Sequence, residues 1–370
     1  MHISSTFDAG NIQVVAIKDH HAHLRIRPDV GGEHMQWFYF RVSGARGEQV
    51  TLDIENAGQV SYPKAWPGYQ ARVSVDREDW IQAPTSYQDG VLSIQVQPDA
   101  DVFWVAYFAP YSDERHGELL AACQGQGAQL HTLGSTLDGR DLDMVVAGGG
   151  PLKLWVIARQ HPGESMAEWW MEGFLGRLLD ADDAHSLRLL DQATFYVVPN
   201  MNPDGSVRGH LRVNASGANL NREWLKPTME RSPEVKLVRD AMDALGCDFC
   251  LDVHGDEELP HNFIAGAEGI PGWSERLDGL TRRFCDALER ANPDFQQKVG
   301  YPKDAPGQAN MSMCTSQVAQ RFDCLSMTLE MPFKDTADRP DPEFGWSAER
   351  SMKLGASGID AIVQVIGDLR

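Results

Sequence analysis

Residues 152–164 read LKLWVIARQHPGE. The run is apolar through Ala158 except at Lys153, which suits a strand buried on both faces. Pro162 and Gly163 break it, and residues 166–179 then take a helical period. A buried strand turning sharply into a helix is the repeating unit of an α/β fold. The same alternation continues toward the C-terminus. Residues 193–199 (ATFYVVP), 249–253 (FCLDV) and 324–329 (CLSMTL) read as strands, and 233–245, 273–290 and 349–369 as helices. This order predicts a mostly parallel mixed sheet flanked by helices.

Toward the N-terminus the pattern changes. Residues 36–42 (QWFYFRV), 49–54 (QVTLDI), 71–75 (ARVSV), 91–96 (VLSIQV) and 102–108 (VFWVAYF) are short strand-like runs punctuated by Gly, Pro, Asn and Asp. Such spacing predicts an all-β sandwich. A helical pattern begins near residue 113. The chain therefore divides into a β-sandwich domain, 1–115, and an α/β domain, 116–370. The junction is not Gly/Ser-rich, so the two are expected to pack together.

Composition narrows the function. The 370 residues are 42% apolar and 23% charged, an ordinary globular balance. A net charge of −20 repels phosphate backbones, so nucleic acid is not the expected partner. The longest apolar runs fall well short of the ~18 residues a membrane span needs. The start, MHISSTFDAG, has no basic patch before an apolar stretch, so no secretory signal is expected. Six cysteines are few, which suggests reduced thiols and a cytoplasmic setting. Cys247 and Cys250 form an isolated CxxC and read as core residues. His20, His21 and His23 read as surface or strand-edge residues of the β domain rather than a second metal site.

Four α/β strands run into polar groups: His161 and Glu164, then 200–205 (NMNPDG), then His254, then Glu330. Ligands of open α/β sheets bind beyond the carboxyl ends of the strands, so distant residues are aimed at one crevice. Two imidazoles and a carboxylate suit a catalytic zinc, and the set also accommodates iron. Glu330 follows an apolar run, where an acid is costly unless it serves something; beside a metal-held water it is a general base. Arg208, Arg212 and Arg222, interleaved with Asn219 and Asn221, are cationic donors suited to a carboxylate or an oxyanion.

The stretches HPGES (161–165), NPDG (202–205), LNREW (220–224), DVHG (252–255) and TLE (328–330) resemble, as an ordered set, the zinc metallocarboxypeptidases, specifically the bacterial type of the cytosolic carboxypeptidase subfamily. The resemblance implies one zinc per chain on His161, Glu164 and His254, with Glu330 as general base. It implies that Arg212 polarises the scissile carbonyl and that Asn221 and Arg222 grip the terminal carboxylate. Tyr301 is the candidate for the family's mobile tyrosine at the substrate. The expected activity is hydrolysis of the C-terminal peptide bond of peptides or protein tails. A zinc acylamino-acid hydrolase and a binding protein without activity are the alternatives. Residues 310–317 (NMSMCTSQ) lack the basic residues of relatives that trim polyglutamate, and Asp256, Glu257 and Glu258 follow His254. Neutral C-terminal residues are therefore expected to leave faster than glutamate, with Arg208 as the reserve cation should glutamate be preferred.

Overall fold

The computed structural model describes residues 1–369. The N-terminal part is two five-stranded sheets. One orders His2–Ser4, Tyr39–Ser43, Val102–Ala106, Ala71–Ser74 and Ile81–Ala83, all antiparallel. The other orders Gln13–Lys18, His21–Arg25, Val50–Ile54, Val91–Val96 and Thr85–Gln88, with one parallel pair, His21–Arg25 beside Val50–Ile54. Residue alternation does the sorting: Leu24, Leu52 and Ile94 from one sheet and Phe40, Val42, Phe103 and Val105 from the other are buried in a shared core.

The α/β part is built on a seven-stranded sheet: Gln129–Ser135, Asp141–Gly148, Ala193–Val198, Leu152–Ala158, Phe249–Asp256, Leu325–Pro332 and Phe263–Ala265. The four strands from Ala193–Val198 to Leu325–Pro332 are mutually parallel. The flanking pairs are antiparallel. The Gln129–Ser135 and Asp141–Gly148 pair was not anticipated, because its exposed positions (Gln129, His131, Asp141) break the apolar run that marks a buried strand.

Both sheet faces are covered. Leu154, Val156, Phe195, Phe249 and Leu251 pack on one side with helices Met166–Leu178, Glu275–Ala291 and Ala348–Val365. Trp155, Ile157, Tyr196 and Cys250 pack on the other with helices Pro233–Leu245 and Cys314–Phe322. Helix Met166–Leu178 and helix Ala348–Val365 touch through glycines. A Cβ on Gly173 would stand 2.0 Å from Met352 O, and one on Gly355 would stand 2.0 Å from Trp170 O. All six cysteines are buried free thiols, as the CxxC reading anticipated.

The two parts share apolar and polar contacts. Phe333 stacks on Tyr107 with centroids 4.5 Å apart. Buried Arg72 donates to the carbonyls of Phe333 and Trp346 at 3.3 and 3.2 Å. The sandwich is therefore fixed against the segment that follows Glu330.

Candidate active site

Two strand ends lie further along the chain than the sequence suggests. Strand Phe249–Asp256 runs past Val253, and strand Leu325–Pro332 runs past Leu329. His254 and Glu330 thus sit inside paired strands, in direct register with each other. The reason is mutual: Gly255 pairs with Met331 and Asp256 with Pro332, so each strand extends the other. Glu164 belongs to the turn before the helix, its N–H donating to His161 O, and the helix begins at Met166. Arg159 leads into that turn with φ 58°, a conformation a non-glycine residue rarely takes. Its guanidinium is held by Glu168 at 2.6 Å and by the Pro162 and Tyr111 carbonyls. Those bonds hold the backbone immediately before His161.

His161, Glu164 and His254 are all buried and meet at one point. His161 Nδ1 lies 2.6 Å from Glu164 Oε1, and His254 Nδ1 lies 2.8 Å from Glu164 Oε2. The two Nδ1 atoms face each other at 3.2 Å. That is close to the ~3.3 Å that separates two nitrogens each bound ~2.0–2.1 Å from one tetrahedral zinc. The far side of each ring agrees. His161 Nε2 faces Asn219 Oδ1 at 3.0 Å, and His254 Nε2 faces Asp252 Oδ2 at 3.0 Å. Donating Nε2–H to those acceptors leaves both Nδ1 lone pairs directed at the shared point. Gln160 completes the support: its amide donates to Asp252 at 2.6 Å and accepts from Trp224 Nε1 at 2.8 Å. The residues present therefore fit a zinc ion.

Electrostatics favour the same set. Burial and the Arg212 charge push His161 down to about 4, which keeps its ring neutral, although Glu164 pulls the other way. Burial opposes charge on Glu164, yet the two imidazoles hold its carboxyl well below the usual range. Glu330 is buried, and its Oε2 has no hydrogen-bond partner among the described residues. Burial pushes its carboxyl well above the ordinary value; His254 opposes this, while Glu164, Asp256 and Glu257 add to it. Glu257, also buried, rises to about 8 for the same reason, against the pull of Arg212.

These groups open into a cleft of about 650 Å³, which Tyr62, Arg212, Asn221, Arg222, Tyr301 and Met313 also line. His161, Glu164, His254, Glu330, Arg212, Asn221, Arg222 and Tyr301 all border it, Asn219 stands behind the His161 ring, and Arg208 lies apart. That arginine lies on the surface, bound to Asp138 at 2.6 and 2.8 Å, which removes it as a reserve cation for substrate. Asn221 Oδ1 accepts from the Cys314 N–H at 2.9 Å, which leaves its amide group to face the cleft. The Arg222 guanidinium donates to Asn221 O at 2.7 Å, tying the two together. Tyr301 OH donates to Asp256 Oδ2 at 2.5 Å, and Asp256 also takes the N–H groups of Glu258 and Leu259.

Three contributions had not been read from the sequence. Tyr62 comes from the sandwich and lies under Arg212, 5.6 Å from guanidinium carbon to ring centroid. Asp29, also from the sandwich, accepts the N–H groups of Leu211, Arg212 and Val213 at 2.6, 2.7 and 3.1 Å. No local motif marks either residue, because their partners lie well over a hundred positions away. Asp252, by contrast, was accessible: it is two residues before His254 and so on the same face of the strand.

Two family models match the chain: a cytosolic carboxypeptidase N-terminal domain over residues 3–108 and a zinc carboxypeptidase over residues 117–338. The chain belongs to the zinc carboxypeptidase family. Zinc is that family's metal, and His161, Glu164 and His254 are the donors available for it here. A metallo-carboxypeptidase from Pseudomonas aeruginosa, solved with (2-guanidinoethylmercapto)succinic acid, is 46% identical over 100% of both chains with a TM-score of 0.97. A metallo-carboxypeptidase from Burkholderia cenocepacia is 46% identical over 99% of both chains with a TM-score of 0.96. Mouse cytosolic carboxypeptidase 3 is 27% identical over 71% of this chain but 30% of its own length. The chain thus spans about a third of the mammalian relative that it matches. No helix among the described residues is long and apolar enough to cross a membrane.

Proposed function

We propose that this metallocarboxypeptidase removes the C-terminal residue of peptides or flexible protein tails in the cytoplasm, with Glu330 as general base. One observation carries the reading. A single cleft joins a three-donor metal set, an unpartnered buried carboxylate, and Arg212, Asn221 and Arg222. Zinc, bound by His161, Glu164 and His254, supplies a Lewis acid for the scissile carbonyl and lowers the pKa of water. Glu330 takes the proton of the attacking water and returns it to the leaving amine. Arg212, whose side chain makes no hydrogen bond to protein among the described residues, donates to the carbonyl oxygen as negative charge develops there. The Asn221 amide and the Arg222 guanidinium hold the terminal carboxylate, which restricts cleavage to the last bond. Tyr301, on the rim beside Asp256, closes against the substrate. The cytosolic relatives support the cytoplasmic setting.

The leaving residue is neutral or basic. Arg212 and Arg222 are the only cations lining the cleft among the described residues, and the mechanism occupies both. Asp256, Glu257 and Glu258 lie on the same wall. A C-terminal glutamate would meet these acids without a cationic partner, a costly arrangement in a partly buried site. The P. aeruginosa relative's ligand, which combines a guanidino group with succinic acid, favours the same reading. The test compares kcat/KM on matched blocked peptides ending in Leu, Lys and Glu, with an N-acetyl amino acid as control. Leu and Lys peptides should be cleaved faster than Glu. Preferred cleavage of Glu would overturn the specificity, and preferred hydrolysis of the acetyl amino acid would overturn the peptidase reading.

A further inference from the structure

The outer face of the second sandwich sheet carries a cluster that peptide hydrolysis does not use. Strand His21–Arg25 turns Ala22 and Leu24 into the core, both fully buried, so His21 and His23 point outward. Strand Val50–Ile54 runs parallel beside it, with Leu52 inward and Asp53 directly opposite His23. His21 Nε2 lies 2.6 Å from Asp53 Oδ2, and the two imidazoles stack with centroids 4.5 Å apart. One nitrogen of each ring and one Asp53 oxygen all lie within 4.8 Å of one another. Asp53 Oδ1 is buried without a hydrogen-bond partner among the described residues. Glu55 reaches His23 Nδ1 at 2.9 Å.

We infer that His21, His23 and Asp53 form a second metal site, on the sandwich, for a divalent first-row transition ion such as zinc or copper. Two imidazoles and one carboxylate select such ions over calcium or magnesium, which take oxygen ligands. Donors on one tetrahedral ion stand ~3.3 Å apart, so separations within 4.8 Å close through side-chain movements of ~1 Å. The backbone needs no change, because sheet pairing already fixes the three residues in register. Glu55, accepting Nδ1–H from His23, leaves Nε2 of that ring with its lone pair, the arrangement by which carboxylates orient metal-bound histidines. The side chains of His21, His23 and Asp53 are 45%, 37% and 19% exposed, which leaves room for an ion to enter and for water to complete its coordination. None of the three borders the catalytic cleft.

The competing account is a ladder of histidine–carboxylate hydrogen bonds that binds nothing. Equilibrium dialysis of metal-free protein against zinc, read by elemental analysis, separates the two. The wild-type chain should take up two equivalents. The His21→Gln/His23→Gln variant should take up one and hydrolyse peptides at the wild-type rate. The His161→Ala variant should keep the sandwich equivalent while losing the other, and copper bound to it should show nitrogen hyperfine coupling in its electron paramagnetic resonance spectrum. Saturation of the wild type at one equivalent, or two equivalents in the double variant, would overturn the site without touching the peptidase assignment.

Discussion

Replacing Asp29 by alanine should cripple catalysis from a domain that holds none of the metal donors of the catalytic cleft. Its carboxylate is buried and takes three consecutive N–H groups, those of Leu211, Arg212 and Val213. Leu211 and Val213 are themselves 1% and 2% exposed, so water does not replace the lost acceptor if the segment stays in place. A buried polar group left unpaired costs ~1–3 kcal/mol, and three of them together cost ~3–9 kcal/mol. That is comparable to the whole stability of a domain, so the segment relieves it by moving. Arg212 then leaves its position over Tyr62. Displacing a reacting group by ~1 Å costs on the order of 10²-fold in rate. The assay is kcat/KM on a blocked peptide, with zinc content and thermal unfolding measured on the same sample. Asp29→Ala should lose ~10²-fold or more with zinc retained. Asp29→Asn, which keeps one acceptor oxygen, should fall between it and wild type. Wild-type turnover in a folded, zinc-loaded Asp29→Ala protein would refute the reasoning.

Other consequences are as direct. Glu330→Gln keeps the shape but cannot accept a proton, so kcat should drop at least ~10²-fold with zinc bound; unaltered turnover would move the base to another carboxylate, Asp256 first. His161→Ala should lose the zinc held in the cleft, measured by elemental analysis together with activity. Gly355→Ala drives a Cβ to 2.0 Å from Trp170 O, so helices Met166–Leu178 and Ala348–Val365 must separate; thermal unfolding should show a loss of ~1–3 kcal/mol or more. Burial pushes the Glu234 carboxyl up to about 7, against the hydrogen bond from Asn214. Its folded value lies above the unfolded one, so the native state binds more protons between about pH 4.5 and 7, and stability falls as pH rises through that window. Glu234→Gln should flatten that fall, seen in unfolding midpoints at pH 5 and pH 8; an unchanged slope would assign the pH dependence to other groups.

The β sandwich, the α/β alternation and the polar groups carried by the parallel strands were legible in the residue pattern. Strands of a parallel sheet are buried on both faces, so they appear as unbroken apolar runs, and an acid or imidazole in or beside such a run stands out. Leu152–Ala158 followed by His161 and Glu164 is the clearest case. The exposed strands Gln129–Ser135 and Gln13–Lys18 were missed, because a strand that faces water lacks that apolar signature. Arg208 shows a different limit: composition marks a cation near a site but not the Asp138 that claims it. Sequence alone determined which donor groups are available to the site, since imidazole, carboxylate and guanidinium identity is local and covalent. Tertiary structure alone decided how they meet: the register of His254 with Glu330, Asp252 behind His254, and Tyr62 and Asp29 brought from the sandwich to Arg212. Those relations depend on strand pairing and domain packing between residues far apart in the chain, and no local pattern of residues encodes the distance between them.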